Sequence, residues 1–208
     1  MKVALCTSVS SNIAELATLT VPNKLQYCLQ HGYSLVVDNQ PYEEAMRNTH
    51  YLCELLDRFD LIWALDADAI ITDMSQPIHT LSCLGPHVTV CEEGAVEWNW
   101  INCGSMVWKN TLVSRTILQT IAMERERWDS LPCQWQTWLG GYAKARPEYV
   151  TVAPLRSFNS CLWNRPGNGE FNPGGHWEPG DFVYHPCGVF PPEEKLRWIQ
   201  NALSVRPS

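Results

Sequence analysis

The segment that most constrains this chain is Asp60-Leu-Ile-Trp-Ala-Leu-Asp66-Ala-Asp68-Ala-Ile-Ile-Thr-Asp73. Its first part, Leu61 to Leu65, is an apolar run the length of one buried strand in an α/β sheet. The run then delivers Asp66 and Asp68 and turns apolar again from Ala69 to Ile71. Burying unpaired carboxylates is costly, so two of them inside a hydrophobic segment need a counter-charge. A divalent cation supplies one, and oxygen ligands suit Mg²⁺ or Mn²⁺. The plainer account of so short a motif is a strand cap that starts a turn, and the rest of the chain has to decide between the two.

The flanking sequence places the segment in a sheet. Val3 to Cys6 reads as an opening strand, followed by the polar turn Thr7-Ser8-Val-Ser-Ser-Asn12. Ligands of open α/β sheets sit outside the carboxyl ends of strands, which makes Thr7 and Ser8 candidate nucleotide contacts. The turn carries neither a dinucleotide fingerprint nor a P-loop. A helix is expected through Lys24, Leu25, Cys28 and Leu29, with Pro22 near its first turn and Gly32 as its stop. Tyr33 to Val37 reads as a second strand, with Asp38 and Asn39 at its end, in position to read a base or ribose. Met46, Leu52, Leu55, Leu56 and Phe59 share one face of a helix spanning 43–59; its Arg47 is a candidate diphosphate contact or simply part of a solvated face. Strand, helix, strand, helix, strand in this order predicts a largely parallel sheet with right-handed crossovers.

Further on, 78–84 is expected to be a short helix or turn, 87–91 a strand, and the acidic, tryptophan-bearing stretch 92–100 a loop over the site. Asn102 and Gly104 then lead into a strand reaching Trp108: Asn102 offers a donor and an acceptor, and Gly104 lets the backbone approach a ligand closely. Amphipathic helices are expected over 112–128, 133–145 and 193–203. From Leu155 turn formers dominate, notably 156–160 and 164–176, and read as loops folding over a site. The segment Gly180-Asp-Phe-Val-Tyr-His185-Pro-Cys-Gly188 is a short strand ending in a histidine, which is a core residue or the nitrogen ligand that joins two carboxylates on a metal and suits Mn²⁺.

A chain of 208 residues with 45% hydrophobic and 18% charged residues is globular and long enough for one domain with a sizeable core. The net charge of −7 argues against a general electrostatic grip on nucleic acid. No apolar stretch is long enough to span a membrane, and the N-terminus reads as a strand and not a signal peptide. Nine cysteines at irregular spacing, without Cys-x-x-Cys, fit reduced thiols in a cytoplasmic protein. Ten tryptophans are more than such a core needs; Trp98, Trp100, Trp163 and Trp177 lie in polar, loop-like sequence, where they either stack on sugars or bases or pack loops onto the sheet.

Taken together these segments resemble GT-A glycosyltransferases, and in particular the galactosyl- and xylosyltransferase family 34 of the yeast α-mannan galactosyltransferase type. The resemblance rests on Leu65-Asp66-Ala67-Asp68-Ala-Ile-Ile71; on Asn23-Lys24 with Tyr27 and His31-Gly32-Tyr33; on Asn102-Cys-Gly-Ser105; on Gln136-Thr137; and on Gly180-Asp181-Phe182 to His185 with Gly188. It covers roughly residues 1–190. The chain departs from the family where acidic residues precede its glutamine, since Gln134 and Trp135 stand there; eukaryotic members carry a membrane anchor, and a chain opening directly on its first strand is expected to be a minimal catalytic domain.

The resemblance implies a GT-A, Rossmann-like α/β fold: a mostly parallel central sheet flanked by helices, with a loop-rich C-terminal part. A nucleotide-binding part of about 1–100 and a metal- and acceptor-completing part of about 101–190 would form a single catalytic domain. It also implies Mn²⁺ or Mg²⁺ held by Asp66, Asp68 and His185. A nucleotide sugar, expected to be UDP-linked, would be contacted by Thr7, Ser8 and Asp38, by Asp66 and Ala67, and by Asn102, Gly104 and Gly188. Gln136 and Asp68 would carry catalysis, with retention of anomeric configuration. The acceptor would be a saccharide hydroxyl, or a hydroxymethylated pyrimidine of phage-type DNA, which the acidic balance does not favour. A metal-dependent nucleotide-sugar hydrolase or nucleotidyltransferase, and a non-catalytic carbohydrate-binding protein, are the alternatives.

Overall fold

The apolar runs in the first third of the chain become adjacent strands. β1 (Val3–Ser8), β2 (Ser34–Asp38) and β3 (Leu61–Leu65) lie side by side, β1 parallel to both neighbours, with Leu5 in register with Leu35 and Trp63. The computed structural model describes residues 1–39, 45–96, 99–161, 176–187 and 192–205. Three further strands, β5 (Val88–Val96), β6 (Asn99–Lys109) and β7 (Val150–Ala153), complete a six-stranded sheet of order β2-β1-β3-β6-β5-β7. Only β6 runs against the rest, since it pairs antiparallel with β3 and β5 while β7 is parallel to β5. The fold is mixed α/β, a mostly parallel central sheet flanked by helices, as expected of a GT-A fold.

Because side chains alternate across a strand, β1 and β3 feed two cores. Ala4, Cys6 and Ile62 face Leu52, Leu55 and Leu56 of α2 (Ala45–Leu56) and Ile117, Leu118 and Ile121 of α3 (Leu112–Met123). Val3, Leu5, Leu61, Trp63 and Leu65 face the other way, onto Tyr27 and Cys28 of α1 (Ala14–His31). A second, three-stranded sheet orders β4 (Ile70–Ile71), β9 (Val183–His185) and β8 (Ser160–Cys161). β4 and β9 are antiparallel, so this small sheet lies immediately downstream of the Asp-x-Asp turn.

Three expectations change. Helix α1 starts at Ala14, leaving Pro22 inside it. Leu16, Ala17, Thr20, Asn23, Lys24, Tyr27 and Cys28 form one continuous buried face across that proline, and tertiary burial outweighs the lost backbone bond. The stretch 92–100 is no simple loop, because its described part belongs to the β5–β6 pair, with register shifts at Val90/Cys91 and Glu92/Val96. The helix expected over 112–128 breaks at Glu124 into α3 and the short α4 (Arg125–Trp128), where the Glu124 carboxylate accepts from Trp138 Nε1 at 2.7 Å and pairs with Arg127 at 3.0 Å. As expected, 78–84 is a short helix and turn, with Ile78–Thr80 a 3-10 helix. Helices α5 (Gln134–Ala145) and α6 (Pro192–Ser204) stand where expected. Trp98, Trp163, Gly188, the Arg47 side chain and the turn-rich stretch up to 175 lie outside the described residues. No helix among the described residues is long and apolar enough to cross a membrane.

Candidate active site

Strand β3 ends at Leu65, and the next residues turn: Asp66 N–H donates to Gly104 O at 2.7 Å, and Ala69 N–H reaches back to Asp66 O at 3.1 Å. Helix α1 holds this turn from behind. The fully buried Lys24 donates to Ala69 O at 2.6 Å and to Ala67 O at 3.4 Å. Asn23 brackets Ile71, donating to its carbonyl at 2.9 Å and accepting from its N–H at 2.8 Å. Tyr27 Oη donates to Gln76 O and accepts from Ile78 N–H, at 2.7 and 2.8 Å, and His31 Nε2 lies 2.8 Å from Met74 O. Gly32, at φ 68°, ends the helix in the left-handed conformation that glycine favours. The Asn23-Lys24…Tyr27…His31-Gly32 motif is therefore the frame of the Asp-x-Asp segment. Burial pushes the Lys24 ammonium down to about 7, against the pull of Asp68 and Asp66.

The small sheet brings the third group. His185 Nε2 lies 3.2 Å from Asp68 Oδ1 and 3.6 Å from Asp66 Oδ2. One ligand atom from each of the three residues fits within 4.8 Å of the other two. His185 is buried, the Asp68 side chain is 17% exposed, and that of Asp66 is 58% exposed, so the cluster opens on the Asp66 side. A Cβ at Gly104 would stand 2.0 Å from His185 Cε1 and 2.5 Å from its Nδ1, so the imidazole occupies space that only glycine leaves. Two carboxylates and an imidazole converging at this spacing fit a hard-to-borderline divalent cation. On the far side of Asp68, Lys195 Nζ of α6 donates to Oδ2 at 2.6 Å. Burial alone would raise Asp68, but His185 and Lys195 outweigh it and hold its carboxyl well below the usual range. Burial would likewise lower His185, yet Asp68 leads the groups that lift it to about 9.

At the carboxyl ends of β1 and β3 lies a cleft walled by Thr7 and Ser8, by Tyr51 of α2, by Asp66 and Cys103, and by Trp135 of α5. Thr7, Ser8 and Asp66 thus share one cavity wall, where a nucleotide is expected. Asp38 stands in register with Ser8, and its carbonyl accepts from Val9 N–H at 2.7 Å. Ala67 is buried, and its carbonyl faces Lys24. Gln136 Oε1 accepts from Cys103 N–H at 2.9 Å, which seats α5 against β6 at the cleft. Asn102 is 5% exposed, and its amide is engaged inside the protein: Oδ1 accepts from Gly104 N–H at 2.8 Å and from Asn159 Nδ2 at 2.9 Å.

Several residues of this site stand out only in the structure. Lys195 and Asn159 touch the ligand cluster from segments 127 and 26 residues away from their partners Asp68 and His185, and nothing local in sequence marks them. Trp135 was visible only as a departure from the family pattern, yet it lines the cleft. The residue before it, Gln134, sits at φ 47°, an uncommon conformation for a residue with a side chain, at the start of α5.

No protein-family model matches this chain, and no curated protein does. Solved structures do resemble it. A glycosyltransferase involved in glycosylation of the major capsid of PBCV-1 superposes over 97% of this chain and 100% of its own, with TM-score 0.73 and 14% identity. The galactosyltransferase LgtC, solved with donor and acceptor sugar analogues, gives TM-score 0.61 over 98% of this chain and 97% of its own, also at 14% identity. The bifunctional glycosyltransferase WbbM gives 0.63 at 12% identity, over 99% of this chain and 50% of its own. The neighbours are GT-A glycosyltransferases, and at such identities the likeness is one of fold.

Proposed function

We propose that this chain is a metal-dependent glycosyltransferase that moves a hexose or pentose from a nucleotide sugar, UDP-linked, to a saccharide hydroxyl with retention of anomeric configuration, in the manner of family 34. The observation that carries this reading is the Asp66, Asp68 and His185 cluster opening beside the cleft of Thr7 and Ser8, at the sheet edge where α/β folds bind nucleotides. Mn²⁺ or Mg²⁺ bound there supplies Lewis-acid stabilisation of the departing nucleoside diphosphate. The nitrogen of His185 among the ligands favours Mn²⁺.

The chain's own residues do the rest. Asp66, Asp68 and His185 would hold the cation, while Lys195 donates to Asp68 Oδ2 and neutralises that oxygen. Thr7, Ser8 and Asp38 read the nucleotide from the strand ends. Gln136, anchored on Cys103, orients the transferred sugar, and Trp135 gives it an apolar wall. Family 34 glycosyl transfer to saccharides, and the capsid-glycosylating and sugar-bound neighbours, support a saccharide acceptor.

The test is turnover of a panel of UDP-hexoses and UDP-pentoses with Mn²⁺ and saccharide acceptors, followed by NMR of the product. The reading expects acceptor-dependent UDP release and an unchanged anomeric configuration. Release independent of any acceptor would make the chain a hydrolase, and an inverted product would remove the family 34 mechanism.

A further inference from the structure

Behind His185 a line of side chains runs from the ligand cluster into the protein. His185 Nδ1 lies 3.2 Å from Asn159 Oδ1. Asn159 Nδ2 lies 2.9 Å from Asn102 Oδ1, and Asn102 Nδ2 lies 3.3 Å from Glu93 Oε1. The four residues come from β9, the segment before β8, β6 and β5, and none is more than 5% exposed; Glu93 itself is wholly buried.

The line has a direction. Asn102 Nδ2 lies against Glu93 Oε1, so the amide turns its NH₂ toward the acid, and its carbonyl then faces Asn159. The same assignment follows independently from the backbone: Gly104 N–H can only donate, and it lies 2.8 Å from that same Asn102 Oδ1. The second hydrogen of the Asn102 amide points to Cys187 Sγ at 3.7 Å. Asn159 must therefore donate to Asn102 and present its own carbonyl to His185, which leaves the hydrogen on Nδ1. The other nitrogen, Nε2, is the one that faces Asp68 and Asp66.

We propose that Glu93 is a positioning residue for the metal ligand His185, acting through Asn102 and Asn159 to fix the Nδ1–H tautomer and the ring orientation that offer Nε2 to the cation. This rests on the metal reading of the Asp66, Asp68 and His185 cluster. Metal-bound histidines usually give their second N–H directly to a carboxylate or carbonyl. Here two amides stand between, and they pass the polarity of the buried carboxylate along.

The test is Mn²⁺ affinity by electron paramagnetic resonance titration of the whole chain, with melting temperature measured on the same samples. Glu93→Met is expected to weaken Mn²⁺ binding by about 10-fold or more, the range typical for loss of an outer partner. Asn159→Leu should do the same, and the double variant should be no worse than either single one, since both cut one line. Glu93→Gln keeps an acceptor without the charge and should fall between wild type and Glu93→Met. Wild-type protein that binds no Mn²⁺ would overturn the metal reading and this inference with it. Wild-type binding with Glu93→Gln and Glu93→Met equally tight, or strictly additive single losses, would overturn this inference alone. If the variants fail to fold, ¹⁵N NMR of the metal-free wild type with its imidazole neutral decides: a protonated Nδ1 on His185 supports the line, and a hydrogen on Nε2 contradicts it.

Discussion

The two sheets of this molecule are built on different physics. In the large sheet, β1 and β3 are backed on both faces by buried apolar side chains, and the strands pair by continuous backbone ladders. In the small sheet, β4 and β8 have two residues each and β9 three, so backbone pairing is minimal. Side chains hold it instead. Asn23 brackets Ile71, Thr72 donates to Asp181 O at 2.5 Å, and Asp181 accepts from Arg156 at 2.7 Å and from Ser160 at 2.8 Å. Arg156 itself adopts φ 67° to make that reach and also pairs with Glu178 at 2.8 Å. Hydrophobic burial is non-directional and tolerates some slack, whereas a metal ligand must be held to a fraction of an ångström. The large sheet therefore carries stability, and the polar frame of the small sheet carries placement.

Substitutions on either side should separate these two roles. Asp68→Asn removes a ligand and should reduce transfer by about a thousandfold, the equivalent of several kcal/mol of leaving-group stabilisation, while the protein stays folded. Steady-state kinetics alongside circular dichroism checks both parts. In the large sheet, Ile62→Ala empties a wholly buried position and should cost about 2–5 kcal/mol of stability, read by urea unfolding, with Mn²⁺ affinity of the folded protein unchanged. Gly104→Ala places a methyl against the His185 ring and should weaken Mn²⁺ binding by about 10–100-fold with a stability loss of only about 1–3 kcal/mol.

Measured per pH unit, the smallest effect concerns Lys24, whose ammonium holds the turn between β3 and β4. Its pKa falls from 10.5 to about 7 on folding. Between those values the unfolded chain holds a proton that the folded one has lost, so stability rises with pH through that window, by up to about 1.4 kcal/mol per pH unit. Below about 7 both states hold the proton and the penalty is complete. Lys24→Met should therefore be less sensitive to pH between about 7 and 10, seen as a flatter plot of unfolding free energy. An identical slope in the two proteins would show that the buried ammonium is compensated in the folded state.

The same contrast explains what could be read from the residues alone. The apolar runs of β1 to β3 and the helical spacing of Leu52, Leu55 and Leu56 are local patterns, and they state the large sheet and α2 directly. Asp66 and Asp68 are legible because two charges inside an apolar run contradict their surroundings. His185 has no such contrast in its own segment, and only the ordered motifs of a resembling family singled it out. Glu93 fell in a stretch read as a loop, because burying a glutamate in a β-hairpin makes sense only once Asn102 stands beside it. Two-residue strands such as β4 and β8 carry no periodicity, and the partners that define them, Asn23 to Ile71 for example, lie 48 residues apart. Asn102 was read as a ligand contact, and in the folded chain its amide is engaged by Gly104, Asn159 and Glu93.

The most direct test of the account is a thermal-shift measurement of the chain with UDP, GDP, CDP, ADP and dTDP, each in Mn²⁺ or in EDTA. A ligand that binds only the folded state raises the melting temperature by mass action. The account predicts stabilisation by UDP in Mn²⁺, lost in EDTA and lost in Asp68→Asn. An equal shift with and without metal, or none with any nucleotide, would contradict a metal-assisted nucleotide-sugar site at Asp66, Asp68 and His185.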